Sequence, residues 1–437
     1  MRATTAIIVG AGLRAQVYAR YAEIAPDQLE IVGVADPNPE RRKYIADRFG
    51  FGEDMCFTDA FELAEHERLA DVIINGTMDE DHVPTTIPLL KRGYDVLLEK
   101  PMAINAEEMF VLYDVAKQYD SKVMICHVLR YAGFYKKIKE LIVSGMIGDV
   151  VSIAATEHVN YHHTAVSYVR GKWGNKKESK SSMLLAKCSH DIDMLIWLKG
   201  LMPQRVSSFG SDFQFDEAKK PEGAAKRCMD CALEPTCLYS ARKHYIESNA
   251  KRSYYVWGDR DGRDLMTEAE MENELRTNMY GRCVWDCNHD NVDHQTVMIQ
   301  FVDGSNATLQ MVGGAARQER SIHIIGTRGE ITGHFDEDAF KLRRIDLTSE
   351  NGYTEEIIDV REDEDDIIAA GGHGGGDNAL VSDFIKMVNG AKPSISATTL
   401  EDSIYGHLTV FLADEAMESE RILRVSDHLP DHLKLSK

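Results

Sequence analysis

The run Ala6-Ile7-Ile8-Val9 followed by Gly10-Ala11-Gly12-Leu13-Arg14-Ala15 constrains this chain more than any other feature. An apolar run of strand length enters a turn of closely spaced glycines and leaves on a helical pattern. Such a turn lets the backbone approach a pyrophosphate at the amino end of the following helix, with Ala15 in the place of a third glycine. A second apolar strand, Leu29 to Ala35, ends in Asp36, where a carboxylate would accept from the hydroxyls of an adenosine ribose. Apolar runs at 72–75, 96–98 and 122–126 follow, with helical stretches at 14–24 and 39–49 between the first three strands. The second helix carries Pro39 in its first turn, where a missing amide costs nothing. These alternating units predict a parallel sheet with crossover helices, so residues 1–126 are expected to form a Rossmann NAD(P)-binding domain.

At 437 residues the chain has room for a second domain, and its character changes after residue 126. Runs at 296–301 and 307–311 flank Asp303-Gly304, and runs at 321–325 and 330–335 flank Gly326-Thr327-Arg328-Gly329, which reads as two antiparallel hairpins. The fold class is therefore α/β. The N-terminal Rossmann domain is followed, over 127–437, by an α+β substrate-binding and oligomerisation domain with a large open, mainly antiparallel sheet. A cysteine-containing insertion at about 213–293 and an acidic, then glycine-rich run at 362–376 read as loops, and 378–417 returns to helical spacing. The net charge of -21 argues against a nucleic-acid partner, which would need a cationic stripe. There is no run of eighteen apolar residues and no signal-peptide pattern, so the expectation is a cytoplasmic protein with no membrane partner.

Leu97-Leu98-Glu99-Lys100-Pro101 delivers a lysine at the carboxyl end of a strand, where open parallel sheets place their ligands. Later, Ser181 to Asp193 opens a helix that carries Lys187, His190 and Asp191. The glycine turn, the Glu-Lys-Pro triplet and this histidine motif together resemble the Gfo/Idh/MocA oxidoreductases, the glucose-fructose oxidoreductase and inositol dehydrogenase family. The resemblance runs through nearly the whole chain, and Glu99-Lys100-Pro101 is its most specific signature. It implies that Lys100 lies beside a nicotinamide and the reacting hydroxyl and that His190 is the catalytic histidine. The family usually has an aspartate four residues before that histidine, where this chain has Ala186. Either Lys187 then supplies a second cation to the substrate, or Lys100 and His190 work alone.

These residue types suit the oxidation of a secondary alcohol. Imidazole is a base near working pH, and an ammonium stabilises a developing alkoxide. Gly10, Gly12, Leu13, Arg14, Asp36, Arg41, Thr77, His82, Glu99 and Lys100 form the expected cofactor set. Asp36 favours NAD, while Arg41 and Arg42 leave NADP as the alternative. Arg130, Tyr131, Tyr168, Arg170, Trp173, Asp191 and His294 are candidate substrate contacts. The expected partner is a small carbohydrate or polyol, and the resemblance implies a homodimer or homotetramer. The activity is read as an NAD(P)-dependent dehydrogenase of a sugar, cyclitol or glycoside. Glycoside cleavage through transient oxidation and elimination is a variant, and a catalytically silent sugar or cofactor sensor is the competing class, kept open by Ala186. In the insertion, Cys228, Cys231, Cys237 and Cys283 are candidates for a structural zinc, with Cys287 a fifth thiol for four positions and free packed thiols the alternative.

Overall fold

The computed structural model describes residues 2–248, 250–257, 266–361 and 375–433. Six strands build a parallel sheet: β1 (Thr4–Val9), β2 (Leu29–Ala35), β3 (Cys56–Phe57), β4 (Val72–Asn75), β5 (Asp95–Leu98) and β6 (Val123–Ile125). Their order, β3-β2-β1-β4-β5-β6, is that of a Rossmann sheet. β1 and β4 are almost wholly buried on both faces, which is why they read as unbroken apolar runs instead of alternating ones. The helix Pro39–Phe49 starts where expected, because Asn38 accepts from the Glu40 and Arg41 amides, and it ends at Gly50 with φ +79°. The expected helix at 14–24 is instead two pieces, Leu13–Ala19 and Tyr21–Ile24.

Nine strands form the second sheet: β7 (Val150–Asn160), β8 (Pro203–Ser211), β9 (His294–Phe301), β10 (Asn306–Ala315), β11 (Glu319–Gly326), β12 (Gly329–His334), β13 (Ala339–Ile345), β14 (Tyr353–Asp359) and β15 (Leu423–Arg424). The order is β14-β13-β12-β11-β7-β10-β9-β8-β15, with β7 and β10 parallel and every other pair antiparallel. Both expected hairpins are present, as β9–β10 and β11–β12. The helix Met183–Lys199 is buried along nearly its whole length and packs against β7, β10 and the long helix Leu400–Ser419. Ser182 caps it by accepting from the Leu185 amide.

The insertion is more ordered than a loop. It contains the helices Ala250–Trp257 and Glu268–Thr277 and two small apolar clusters, one around Tyr245, Trp257 and Leu275, the other around Phe215, Tyr239 and Val284. The expected acidic and glycine-rich loop falls at 362–374, outside the described residues, apart from its last two positions. Beyond it, the helix Gly376–Val388 returns to the parallel sheet, where Leu380, Val381 and Phe384 share one core with Ala6, Ile8 and Tyr18. Among the described residues no helix is long and apolar enough to cross a membrane.

Candidate active site

The glycine turn after β1 is a cradle fixed by close backbone approach. Gly10 has φ +74°, and a Cβ there would stand 2.7 Å from the backbone of Thr77. Gly12 faces only Gly76 O, at 4.0 Å, so the space before the amides of helix Leu13–Ala19 stays open. Asp36, at the end of β2, accepts from the Ala11 and Asn38 amides, each at 2.8 Å, which leaves lone pairs for another donor. Arg41 Nη1 lies 3.9 Å from Asp36 Oδ2, and Arg42 donates to the Asp36 carbonyl. Open helix amides for a pyrophosphate and a carboxylate for ribose hydroxyls fit a dinucleotide. Thr77 is held by Asn75 Oδ1, and the ring nitrogens of His82 lie 2.6 Å from Pro101 O and 3.1 Å from Thr77 O. His82 therefore clamps two loops at the cradle's edge, a bracing task that the sequence did not distinguish from ligand contact.

β5 carries Glu99 and Lys100 to the same edge, with a cis peptide bond between Lys100 and Pro101. Glu99 accepts from Arg14 Nε and the Tyr18 hydroxyl, both at 2.8 Å, and from the Lys100 amide at 2.5 Å. Burial opposes its charge, but Arg14 and Lys100 outweigh burial and hold the carboxyl below the usual range. Arg14 also reaches Asp377 at 2.6 Å. The Lys100 side chain crosses to helix Met183–Lys199, where Nζ donates to the Ala186 carbonyl at 2.5 Å. Burial pushes its ammonium pKa down; Glu99 and Asp79 oppose that fall, and Lys187 adds to it. The position where a carboxylate was missed thus offers a backbone carbonyl to the lysine.

His190 lies one turn beyond Ala186 on this helix, and its ring meets His127 edge-on at 5.6 Å. His127 is fully buried and, among the described residues, has no hydrogen-bond partner at either nitrogen, and burial with nearby Arg130 and Lys100 keeps it neutral. Its other neighbour, His407, stands at 5.3 Å, accepts from the Met102 amide at 2.9 Å and contacts Ser403 O through Nδ1 at 3.0 Å. On another side of Lys100, Asp79 accepts from Trp173 Nε1 at 3.0 Å and from the Ser181 hydroxyl at 2.6 Å, and Tyr168 stacks on Trp173 at 6.0 Å. Beyond them Lys187 pairs with Glu157 at 3.2 Å, while Arg320 bridges Glu157 at 2.7 Å and Asp191 at 2.8 Å.

Lys100, Lys187, His190, Tyr168, Trp173 and Asp191 are thus gathered around one region. Four candidates fall elsewhere, three of them buried in contacts between distant segments and the fourth, His294, paired with its neighbour Asp293. Arg130 donates two hydrogen bonds to Asp193, at 2.6 and 2.7 Å, and one to Ala397 O. Tyr131 donates to Asp383, and Arg170 is buried in the cysteine insertion. His294 pairs with Asp293 beside Phe213. Asp79, Glu157 and Arg320 were not foreseen. Glu157 left one signal, a carboxylate on the inward face of β7 in register with Ile153 and Val159. As for zinc, among the described residues no three His, Cys, Asp or Glu side chains are grouped closely enough to hold a single metal ion.

Comparison with known proteins accords with this geometry. The oxidoreductase family's NAD-binding Rossmann fold matches residues 4–127, and its C-terminal alpha/beta domain matches residues 139–425. The oxidoreductase YteT of Bacillus subtilis is 25% identical over 86% of this chain and 88% of its own length. The rhizopine catabolism protein MocA of Rhizobium meliloti is 30% identical, over 51% of this chain and 65% of its own length. In fold, the chain resembles a levoglucosan dehydrogenase solved with NADH and levoglucosan (TM-score 0.71, 18% identity, 97% of this chain and 100% of that one). An NAD-binding oxidoreductase of Klebsiella pneumoniae is similar to the same degree (TM-score 0.71, 15% identity, 97% of this chain and 99% of that one). With both halves matched in order, the chain belongs to the Gfo/Idh/MocA oxidoreductase family.

Proposed function

We propose that this protein is an NAD-dependent dehydrogenase of a secondary hydroxyl on a sugar, cyclitol or glycoside, working in either direction. The observation that carries the reading is the Lys100 ammonium, buried at the mouth of the parallel sheet and held across the domain junction by Ala186 O. Gly10, Gly12, Asp36 and the first amides of helix Leu13–Ala19 would hold the dinucleotide, with Asp36 disfavouring a 2′-phosphate. The nicotinamide, when bound, supplies the redox chemistry.

The chain's own groups do the rest. A substrate hydroxyl replaces Ala186 O as the acceptor for Lys100, whose positive charge then stabilises the alkoxide as its proton leaves. His190 takes that proton in oxidation and returns it in reduction. Trp173 and Tyr168 give a flat wall for the ring, with Trp173 held in place by Asp79. Lys187, paired with Glu157, adds positive potential beside Lys100 without a separate role in proton transfer. Inositol dehydrogenases and a glucose-6-phosphate 3-dehydrogenase among the relatives support the substrate class. A second copy is expected on the open face of the nine-stranded sheet, where strand register exposes Phe209, Met298 and Ile325, so Met298→Glu should yield monomers by light scattering.

The test is to purify the protein, assay bound nicotinamide, and follow the reduced-cofactor absorbance against a panel of sugars, glycosides and inositols. Turnover that falls at least a thousandfold in Lys100→Met, with NADH affinity kept within about threefold, is the expected result. No turnover on any compound, or unchanged turnover in Lys100→Met, refutes the proposal.

A further inference from the structure

Ala186 leaves Lys100 facing a backbone carbonyl where a carboxylate was expected, so the negative charge beside this lysine has to come from another element. Around Lys100 stand Glu99 and Arg14 on the glycine-turn side, Asp79 in the loop after β4, Lys187 and His190 on helix Met183–Lys199, and His127 and His407 behind it. Burial holds His127 well below its ordinary pKa and His407 at about 3, so neither carries charge at neutral pH. Of these groups only Glu99 and Asp79 are carboxylates. Glu99 is already spoken for, because it pairs with Arg14 at 2.8 Å and accepts from the Tyr18 hydroxyl and the Lys100 amide. Asp79 is buried, at 6% exposure, and among the described residues no cation lies within ion-pair distance of it.

Asp79 also joins the two halves of the site. Its loop is fixed on both sides: Asn75 Oδ1 holds Thr77, and the His82 ring lies 3.1 Å from Thr77 O and 2.6 Å from Pro101 O. Asp79 is thereby set beside the carboxyl end of β5. Its Oδ2 accepts from two segments of the second domain, Trp173 Nε1 at 3.0 Å and the Ser181 hydroxyl at 2.6 Å. Asn291 ties the same two segments to each other, accepting from the Met183 amide at 2.8 Å and donating to Trp173 O at 2.5 Å. One carboxylate oxygen therefore grips the ring wall and the start of helix Met183–Lys199 as a unit, and Lys100 meets that helix at Ala186 O. Both donors to Oδ2 are neutral, and among the described residues none reaches Oδ1, so the charge of Asp79 is not cancelled by an ion pair.

We propose that Asp79 is a positioning residue that takes the place of the carboxylate absent at position 186: from the Rossmann side it seats Trp173 and the start of helix Met183–Lys199 around Lys100, and its charge keeps that lysine an ammonium. The opposition of Asp79 to the effect of burial on Lys100 is in accord with this arrangement. Removing a negative charge from beside an ammonium favours the free amine, so loss of the Asp79 charge lowers the pH at which Lys100 deprotonates. What Lys100 does for a substrate rests on the dehydrogenase reading above; how Asp79 holds Lys100 does not.

The test reads Lys100 directly by NMR of the full-length protein with isotope-labelled lysine side chains. The resonance missing from Lys100→Met identifies Lys100, and its pH titration gives the midpoint. Asp79→Asn keeps an oxygen for Trp173 and Ser181 and loses the charge, so the midpoint should fall by about 1 pH unit. Asp79→Ser, measured in parallel, should show the same fall and serves if the asparagine variant does not fold. Asp79→Glu, which restores the charge, should recover at least half of the fall. Trp173→Phe frees Oδ2 of one donor but keeps the charge, so the midpoint should stay within about 0.3 pH unit of the parent. A midpoint unmoved in Asp79→Asn and Asp79→Ser, or an equal fall in Trp173→Phe, overturns the proposal. With a substrate that turns over, the alkaline limb of kcat/KM should move down together with the midpoint in Asp79→Asn. Absence of turnover refutes the dehydrogenase reading alone, and the titration still decides the role of Asp79.

Discussion

Replacing His407 by glutamine isolates how the histidines behind Lys100 limit acid stability. Burial, with His127 adding to it, lowers the His407 pKa to about 3, and the ring accepts from the Met102 amide only while Nε2 is unprotonated. In the unfolded chain the value is about 6.5. A folded pKa below the unfolded one means that stability is complete above about pH 6.5 and is lost as pH falls toward 3. The full gap of about 3.5 units corresponds to about 5 kcal/mol, of which roughly half is gone at pH 4.5. The glutamine amide keeps an acceptor for Met102 but cannot be protonated, and it forfeits the contact with Ser403 O, costing about 1 kcal/mol. His407→Gln should therefore be about 1 kcal/mol less stable than the parent at pH 7.5 and about 1–2 kcal/mol more stable at pH 4.5. Urea unfolding followed by tryptophan fluorescence at the two pH values measures both. A difference that keeps its sign and size between pH 7.5 and 4.5 refutes the argument.

Asp193→Ala leaves Arg130 buried without its carboxylate and should cost about 3–5 kcal/mol, read as a lowered thermal midpoint; a loss below about 1 kcal/mol would contradict the pairing. Asp36→Ala should weaken NADH about 10- to 100-fold in a fluorescence titration while weakening NADPH much less, and an equal loss for both would mean that Asp36 only braces the glycine turn.

What the sequence disclosed follows the range of the forces involved. β1, β2, β4 and the helix Pro39–Phe49 were legible because apolar runs, the Asn38 cap and the glycine turn act within a few residues. β3 was not, since two residues carry no periodicity and pair only because β2 is already there. Arg130 and Tyr131 looked like substrate contacts from their place after the last parallel strand. Their partners Asp193, Asp383 and Ala397 lie 63 to 267 residues away, beyond any local pattern. The gap at Ala186 is the instructive case. A side-chain alphabet records a missing carboxylate there, while the backbone carbonyl that meets Lys100 is written identically at every position.

The ion pair between Arg14 and Asp377 joins the turn at the very start of the chain to a residue 363 positions later, and the helix that begins there completes the core under β1. During translation at about 5–20 residues per second, the nucleotide cradle must wait about 20–70 s for that helix to be made. Until then Ala6, Ile8 and Tyr18 lack Leu380, Val381 and Phe384, the apolar partners that complete their core.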